Sequence, residues 1–222
     1  MTALEILDPA TLDEDVAAAV TRWLALHERA SLVVSGGRTP APFLRALAQR
    51  SLPWSRIDVL LADERCVPLD HPASNQRSTR EAFAGTPAAT SLHELDPTTP
   101  GALDRWRARV ATLSRPFAAV VLGMGEDGHF ASLFPGMPGL AAALDLDRST
   151  TVVAAMAPVE PRARLSLALA ALLDTELLAL HVTGAAKLAT LRRAAQPGDP
   201  LGLPVRALLH QQRVPLRIYH QA

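Results

Sequence analysis

Three things are scarce in this 222-residue sequence: cysteine, lysine and long apolar runs. Cys66 is the single cysteine, which excludes a disulfide within the sequence and a zinc site built from several cysteines. No apolar run approaches the roughly 20 residues that a membrane-spanning helix needs. The early segment TLDEDV is acidic and unlike a signal peptide. We therefore predict a cytoplasmic protein.

Net charge is also absent, because 22 basic residues balance 22 acidic ones. A neutral chain has no overall field that attracts nucleic acid or an anionic membrane, so we expect neither as a partner. A small anionic ligand would have to be bound by local groups. Lys187, the only lysine, is one candidate for such a group.

The composition, 49% hydrophobic and 20% charged residues, is that of a globular protein rather than a disordered one. The length suits one α/β domain, which we predict to span residues 1–222. We expect a monomer or a small homo-oligomer.

Short apolar runs alternate with segments of helical periodicity. This pattern predicts a three-layer α/β fold, with a mainly parallel sheet and helices on both faces. Strands are predicted at 31–35, 57–62, 118–122, 151–156, 176–182 and near 215–219. Helices are predicted at 11–28, from Pro40, and at 75–84, 101–113, 164–173 and 184–195, the first with the capping-box spacing of Thr11 and Glu14. The segment DERCVPLDHPASN is predicted as a loop.

Four polar segments follow predicted strands: SGGRTP, DERCVP, GMGEDGHF and VTGAAK. In an open parallel sheet, ligands bind beyond the carboxyl ends of the strands, because the connecting loops converge there. The four segments are therefore expected to form one site.

Two of these segments suit a phosphate group. SGGRT offers backbone N–H groups and hydroxyls at the start of a helix, although a plain glycine turn explains it equally well. Lys187 would lie in the first turn of a helix, where a positive charge is unfavourable unless an anion binds. An ordinary solvated lysine is the alternative. Arg164, predicted at another helix start, supports a phosphate site more weakly.

His129 is the best candidate for a general base, because histidine titrates near neutral pH. Asp127, two residues earlier, could orient the imidazole; a histidine bound to a backbone carbonyl is the alternative. In the DER segment, Asp63 is expected to be partly desolvated and Arg65 could offer a bidentate fork to an oxyanion or a phosphate. A loop cluster of mutually paired charges is the alternative there.

Sequence motifs for cofactors are missing. GMGEDG lacks the strand, turn and helix context of a dinucleotide-binding fingerprint, so a nicotinamide cofactor is disfavoured. His129, Asp63 and Asp127 could hold a divalent ion, but neither an HExxH motif nor comparably dense ligand spacing supports a metal. Without a GxSxG element, attack by water is favoured over an acyl-enzyme. We expect no cofactor and no metal.

The segments SGGRTP, DERCVPLDHPASN, GMGEDGHFASLFPG, PRARLSL and VTGAAK occur in the order seen in 6-phosphogluconolactonases. The chain resembles this family from about Ser31 to Lys187. DGHFASLFPG is the most specific element, whereas SGGRTP alone would be weak evidence.

The resemblance implies a Rossmann-like fold shared with glucosamine phosphate deaminases and ribose phosphate isomerases. It also implies hydrolysis of 6-phospho-D-glucono-1,5-lactone to 6-phosphogluconate, the second step of the oxidative pentose phosphate pathway, without an organic cofactor. By position, His129 resembles the base that activates water, Asp127 its neighbour and Arg65 a substrate-contacting arginine. The sugar phosphate loop and its cationic partners would be Ser35, Gly36, Gly37 and Thr39 with Arg164 and Lys187.

Two alternatives stay open. Glucosamine-6-phosphate deaminases share DGH, but there a glutamate further along completes a proton relay, and Phe134 stands at the equivalent position here. A sensor that binds sugar phosphates without catalysis would not need the DGH and DER residues. Arg38 departs from the small residue that the family often has within SGG-x-TP, which should affect loop packing or substrate charge contacts.

Overall fold

The structure, a computed structural model, describes residues 6–8 and 11–221. The predicted domain of residues 1–222 therefore includes residues 1–5, 9–10 and 222, which lie outside the described part. The strands are β1 (Ile6–Leu7), β2 (Ala30–Val34), β3 (Ile57–Leu61), β4 (Asp63–Arg65), β5 (Ala119–Leu122), β6 (Val152–Met156), β7 (Ala163–Leu167), β8 (Leu178–Thr183) and β9 (Leu216–Gln221). The helices are α1 (Leu12–Leu24), α2 (Ala41–Ala48), α3 (Asn75–Phe83), α4 (Ala102–Thr112), α5 (Leu140–Leu144), α6 (Leu169–Leu172), α7 (Ala185–Ala194) and α8 (Val205–His210).

Six strands form a parallel sheet in the order β1-β9-β8-β5-β2-β3. Every residue of the central strands β2 and β5 is buried, as is all of β8 except Thr183. Such continuous apolar strands are typical of a parallel sheet with both faces covered. The predicted mainly parallel α/β fold is confirmed.

A second sheet, antiparallel and three-stranded, corrects two predictions. Its order is β4-β7-β6, so the DER segment is a strand rather than part of a loop. RLSL, predicted as the start of a helix, lies in β7, and the helix that follows covers only Leu169–Leu172. Leucine-rich runs fit helix and buried strand alike, and here backbone pairing to two neighbouring strands selects the strand.

Helix α1 begins where it was predicted but without the expected cap. Thr11 is its N-cap residue, yet its hydroxyl donates to Asp15 Oδ2 at 3.0 Å, and its side chain makes no capping bond. The helix ends at Leu24, about a turn before the predicted Glu28. Among the described helices, none has the length and apolar character required to cross a bilayer.

Candidate active site

The four polar segments meet in one cleft of about 320 Å³ at the carboxyl ends of the parallel strands. Nine of the ten predicted site residues line this cleft: Ser35, Gly36, Gly37, Thr39, Asp63, Arg65, His129, Arg164 and Lys187. Asp127 is the tenth and lies behind His129, to which it is hydrogen bonded. The predicted convergence of the loops is therefore present in the structure.

The turn after β5 holds His129 in a defined orientation. Asp127 Oδ1 lies 2.6 Å from His129 Nδ1 and also accepts the His129 backbone N–H at 3.2 Å. A carboxylate accepts hydrogen bonds, so Nδ1 carries the proton and Nε2 presents a lone pair. Among the described residues, no group is hydrogen bonded to Nε2, and the half-buried ring lines the cleft. This arrangement suits a base acting through Nε2.

Two glycines make this turn possible. A Cβ on Gly125 would lie 2.2 Å from the His129 ring, so only glycine lets the imidazole lie against the backbone. Gly128 has a φ of 80°, and a Cβ there would lie 2.4 Å from Leu203 Cδ1. Its carbonyl accepts the Val205 backbone N–H at 2.9 Å, which ties the turn to α8.

Phe134 packs against the His129 imidazole, with ring centroids 4.4 Å apart. Phe134 is buried and lines the cleft. At this position the His129 ring therefore contacts an apolar side chain and not a carboxylate.

Arg65 and Arg164 lie side by side across the second sheet, as register partners on β4 and β7. Arg164 is only 6% exposed, and its buried Nε and Nη1 have no hydrogen-bond partner in the part of the chain that the structure describes. Burial lowers the pKa of the Arg164 guanidinium, and the charge of Arg65 lowers it further, although Asp63 raises it. A bound anion would relieve this unfavourable state. The prediction that Arg164 begins a helix is wrong; strand pairing is what brings it to Arg65.

Asp63 is held at the floor of the cleft by groups that the sequence did not reveal. Ser132 Oγ donates to Asp63 Oδ2 at 2.6 Å, and Asn75 Nδ2 donates to the Asp63 carbonyl at 2.9 Å. Asn75 also lines the cleft, and its Oδ1 has no hydrogen-bond partner among the described residues. The N-cap residue of α3 is the preceding Ser74. Ser132, a lone hydroxyl between Ala131 and Leu133, was detectable only as a polar residue in an apolar run.

Glu64, between the two predicted residues of DER, organises the start of α3. Its buried carboxylate accepts the backbone N–H groups of Arg65, Asn75 and Gln76 at 2.6, 2.8 and 2.7 Å, and the Ser74 hydroxyl at 3.1 Å. Burial raises the pKa of Glu64, although the three N–H groups oppose this effect. The positive end of the α3 dipole favours a carboxylate here.

Part of the SGGRTP loop forms hydrogen bonds and contacts within the protein. Ser35 Oγ accepts the Gly123 N–H at 3.1 Å, and Ser78 Oγ accepts the Gly37 N–H at 2.9 Å, so these two donors are already used. A Cβ on Gly36 would lie 2.5 Å from Asn75 Cβ, which requires glycine. Thr39, the remaining predicted residue of this loop, is exposed and lines the cleft.

Lys187 is the third residue of α7 and half-buried in the cleft wall. Within residues 6–8 and 11–221, no carboxylate forms an ion pair with it. Arg38 also lines the cleft, whereas His71 is exposed outside it and its Nδ1 accepts the Ala73 N–H.

His181, near the end of β8, is a cleft residue that sequence analysis missed. Its Nε2 lies 3.0 Å from Asp13 Oδ1 on α1. A histidine in an otherwise apolar strand was the available signal.

Metal binding finds no support in the side-chain arrangement. Across the described ranges, no group of three or more histidine, cysteine, aspartate or glutamate side chains is placed to hold an ion.

Comparison with known proteins agrees with these motifs. Residues 9–216 match the family model described as glucosamine-6-phosphate isomerases/6-phosphogluconolactonase. A 6-phosphogluconolactonase of Pseudomonas putida is 40% identical over 215 residues, covering 95% of this chain and 87% of that protein. The crystal structure of a 6-phosphogluconolactonase from Shewanella baltica OS155 has a TM-score of 0.91 at 33% identity, covering 100% of this chain and 98% of that one.

A monomeric glucosamine-6-phosphate deaminase has a TM-score of 0.77 at 17% identity, covering 98% of this chain and 97% of that one, and shares the fold. The resemblance predicted from the five motifs is confirmed. The chain belongs to the family of glucosamine-6-phosphate isomerases and 6-phosphogluconolactonases.

Proposed function

We propose that this protein hydrolyses 6-phospho-D-glucono-1,5-lactone to 6-phosphogluconate, with His129 as the general base. The observation that carries the proposal is the pairing of His129 with Asp127 in a cleft that also contains the buried guanidinium of Arg164. The relatives named 6-phosphogluconolactonase support the same reaction.

In this mechanism, His129 Nε2 takes a proton from a water molecule as the water oxygen attacks the lactone C1. Asp127 accepts the Nδ1 proton in a hydrogen bond and stabilises the imidazolium that forms. The tetrahedral intermediate then collapses with cleavage of the C1–O5 bond. The imidazolium returns its proton to O5, which becomes the hydroxyl of the open-chain product.

The cationic side of the cleft would bind the phosphate. Arg164 offers two unpartnered nitrogens, and Lys187 and Arg65 add positive charge. Binding the phosphate away from C1 orients the reacting carbon against the water, so remote binding energy assists the chemical step.

A deaminase reaction is the second candidate, because a deaminase shares the fold. The contact between Phe134 and His129 favours the lactonase, since the resemblance implies that a deaminase needs a glutamate at that position.

The test is a coupled assay in which 6-phosphogluconate dehydrogenase detects the product formed from the freshly prepared lactone. We expect acceleration above the spontaneous rate across neutral pH, and a much lower kcat/KM for unphosphorylated gluconolactone. Absence of acceleration would reject the lactonase function. Release of ammonia from glucosamine 6-phosphate would support the deaminase instead.

A further inference from the structure

The proposed hydrolysis uses His129 and leaves a second cleft histidine without a role. His181 is only 2% exposed, and its buried Nδ1 has no hydrogen-bond partner among the described residues. Its other nitrogen, Nε2, is 3.0 Å from Asp13 Oδ1, so a carboxylate holds one side of the ring while the other side is unsatisfied. A buried polar atom without a hydrogen-bond partner is unfavourable, and a ligand group that bonds to it removes that cost.

The hydrogen bond to Asp13 decides the tautomer. A carboxylate accepts, so Nε2 carries the hydrogen and Nδ1 of the neutral ring is a lone pair. If Nδ1 gains a proton, the ring becomes a cation with two donors, one directed at Asp13 and one without a partner among the described residues. Asp13 compensates the new positive charge, which makes this change accessible in a buried position.

The surroundings of His181 favour the neutral form of its ring. Burial lowers the pKa of His181, Asp13 raises it, and Lys187 lowers it. Phe43 on α2 packs near the ring with centroids 6.1 Å apart, and Tyr219 is the register partner on β9. Of the described titratable groups at His181, only Asp13 favours the cation, and Lys187 opposes it.

We propose that His181 is a phosphate-binding residue that takes up one proton from solvent at Nδ1 when the phosphate of the sugar binds beside Lys187. The proposal rests on the proposed function, because it needs a sugar phosphate in this cleft. A bound dianion attracts both Lys187 and a protonated His181, and this attraction offsets the repulsion between the two cations. Binding and proton uptake therefore favour each other. Asp13 is the positioning residue, since it acts only through the imidazole.

This arrangement gives selectivity for phosphorylated substrates. An uncharged sugar lactone provides no charge to stabilise the imidazolium, so it leaves Nδ1 unprotonated. If Nδ1 instead accepted a hydroxyl of the sugar, binding would need His181 but would not be linked to proton uptake.

Calorimetry with 6-phosphogluconate tests the proposal at pH 8, where a phosphate monoester with a second pKa of about 6 is already a dianion. Titrations in two buffers of different ionisation enthalpy give the number of protons taken up per site. We expect uptake by the wild-type protein, and its loss with roughly 10-fold weaker binding in His181→Asn. Asp13→Asn should also lose the uptake while keeping the imidazole, which covers the case in which His181→Asn does not fold.

Two controls separate this histidine from the others. His129→Asn should retain the uptake, because that ring belongs to the hydrolytic end of the site. His27→Asn removes a histidine that is also paired with a carboxylate, at 3.1 Å from Glu176, but precedes β2 at the opposite edge of the sheet. It should bind and hydrolyse like the wild type.

The outcomes distinguish the two proposals. Binding without proton uptake, or uptake that persists in both His181→Asn and Asp13→Asn, overturns the role of His181 and leaves lactone hydrolysis standing. Binding with uptake but without lactone hydrolysis supports the role of His181 and rejects the lactonase. Failure to bind 6-phosphogluconate at all rejects the role of His181, whereas lactone hydrolysis is decided by the coupled assay.

Discussion

The ring of Phe134 lies against the imidazole of His129, with centroids 4.4 Å apart and the planes inclined by 40°. The proposed base therefore has an apolar neighbour in Phe134, while its Nδ1 is hydrogen bonded to the Asp127 carboxylate. Within the described residues, Asp127 is the acidic side chain that is hydrogen bonded to this ring. The identity of residue 134 should decide which chemistry the turn supports.

Replacing Phe134 with glutamate should shift the pH dependence of catalysis. A carboxylate next to His129 favours the imidazolium, so the base would be protonated over a wider pH range. We expect the acidic limb of the kcat profile to move upward by about one pH unit and kcat at pH 7 to fall. Phe134→Leu keeps the site apolar and should leave the limb in place. An unshifted limb in Phe134→Glu would show that residue 134 does not influence the base.

Removing the base should affect kcat more than KM. For His129→Ala we expect a loss of kcat of roughly 10²-fold or more, because general base catalysis is worth typically 10²–10⁴-fold. Asp127→Asn should cause a smaller loss, since the imidazole remains. Circular dichroism checks the fold, and His27→Asn is the matched control. Near wild-type activity in His129→Ala would exclude it as the base.

Activity should require glycine at position 125, because a side chain there would overlap the His129 ring. A Cβ there would lie 2.2 Å from the His129 ring and 2.5 Å from Asp127 Oδ1, so Gly125→Ala must displace the imidazole. We expect a fall in kcat comparable to that of His129→Ala. Gly202→Ala is the control, because its added Cβ would meet only the Asp199 carbonyl, at 3.9 Å. Full activity in Gly125→Ala would contradict the orientation of His129.

Arg164 should bind substrate at the expense of stability. Its buried, unpaired guanidinium lies beside Arg65, so Arg164→Met should raise the Tm of the ligand-free protein. The same change should raise KM by about 10-fold or more, because a charge-assisted hydrogen bond to phosphate is lost. Thermal scans with and without 6-phosphogluconate, together with initial rates, test both effects. A lower Tm with an unchanged KM would mean that Arg164 is structural.

Asp127 should make stability depend on pH in the acid range. Burial raises the pKa of Asp127, but its hydrogen bond to His129 and the charge of that ring outweigh burial, so the pKa lies below the ordinary value of 3.8. A lowered pKa means that the carboxylate stabilises the fold above pH 3.8, and that this contribution is lost as the pH falls through the lowered value. The Tm difference between wild type and Asp127→Asn should shrink as the pH falls below about 5. A difference that grows over this acid range would contradict the shift.

Much of the site could be predicted from sequence because its parts follow strands. A polar segment after a buried parallel strand must lie at the carboxyl edge of the sheet, and four such segments lie in one cleft. The link between His129 and Asp127 was also accessible, since the two residues are separated by a single glycine in a tight turn.

Contacts between segments far apart in the chain could not be predicted in this way. Ser132 and Asp63 are 69 positions apart, and Asp13 and His181 are 168 apart, so no local pattern relates them. The position of Arg164 could not be predicted from local sequence either, because the leucines that follow it suit a helix as well as a strand. Only pairing with β4 and β6 placed it beside Arg65.

The sequence by itself determined the alternation of strands and helices, the parallel sheet and the loops that carry the chemistry, because hydrophobic periodicity and glycine turns are local properties. The tertiary structure decided how those loops face one another. It brought two arginines together on a small antiparallel sheet, buried the Arg164 guanidinium and placed His181 against Asp13. These features depend on strand register and on packing between segments far apart in the chain. Such packing removes water from the Arg164 and His181 side chains, and no local sequence pattern specifies it.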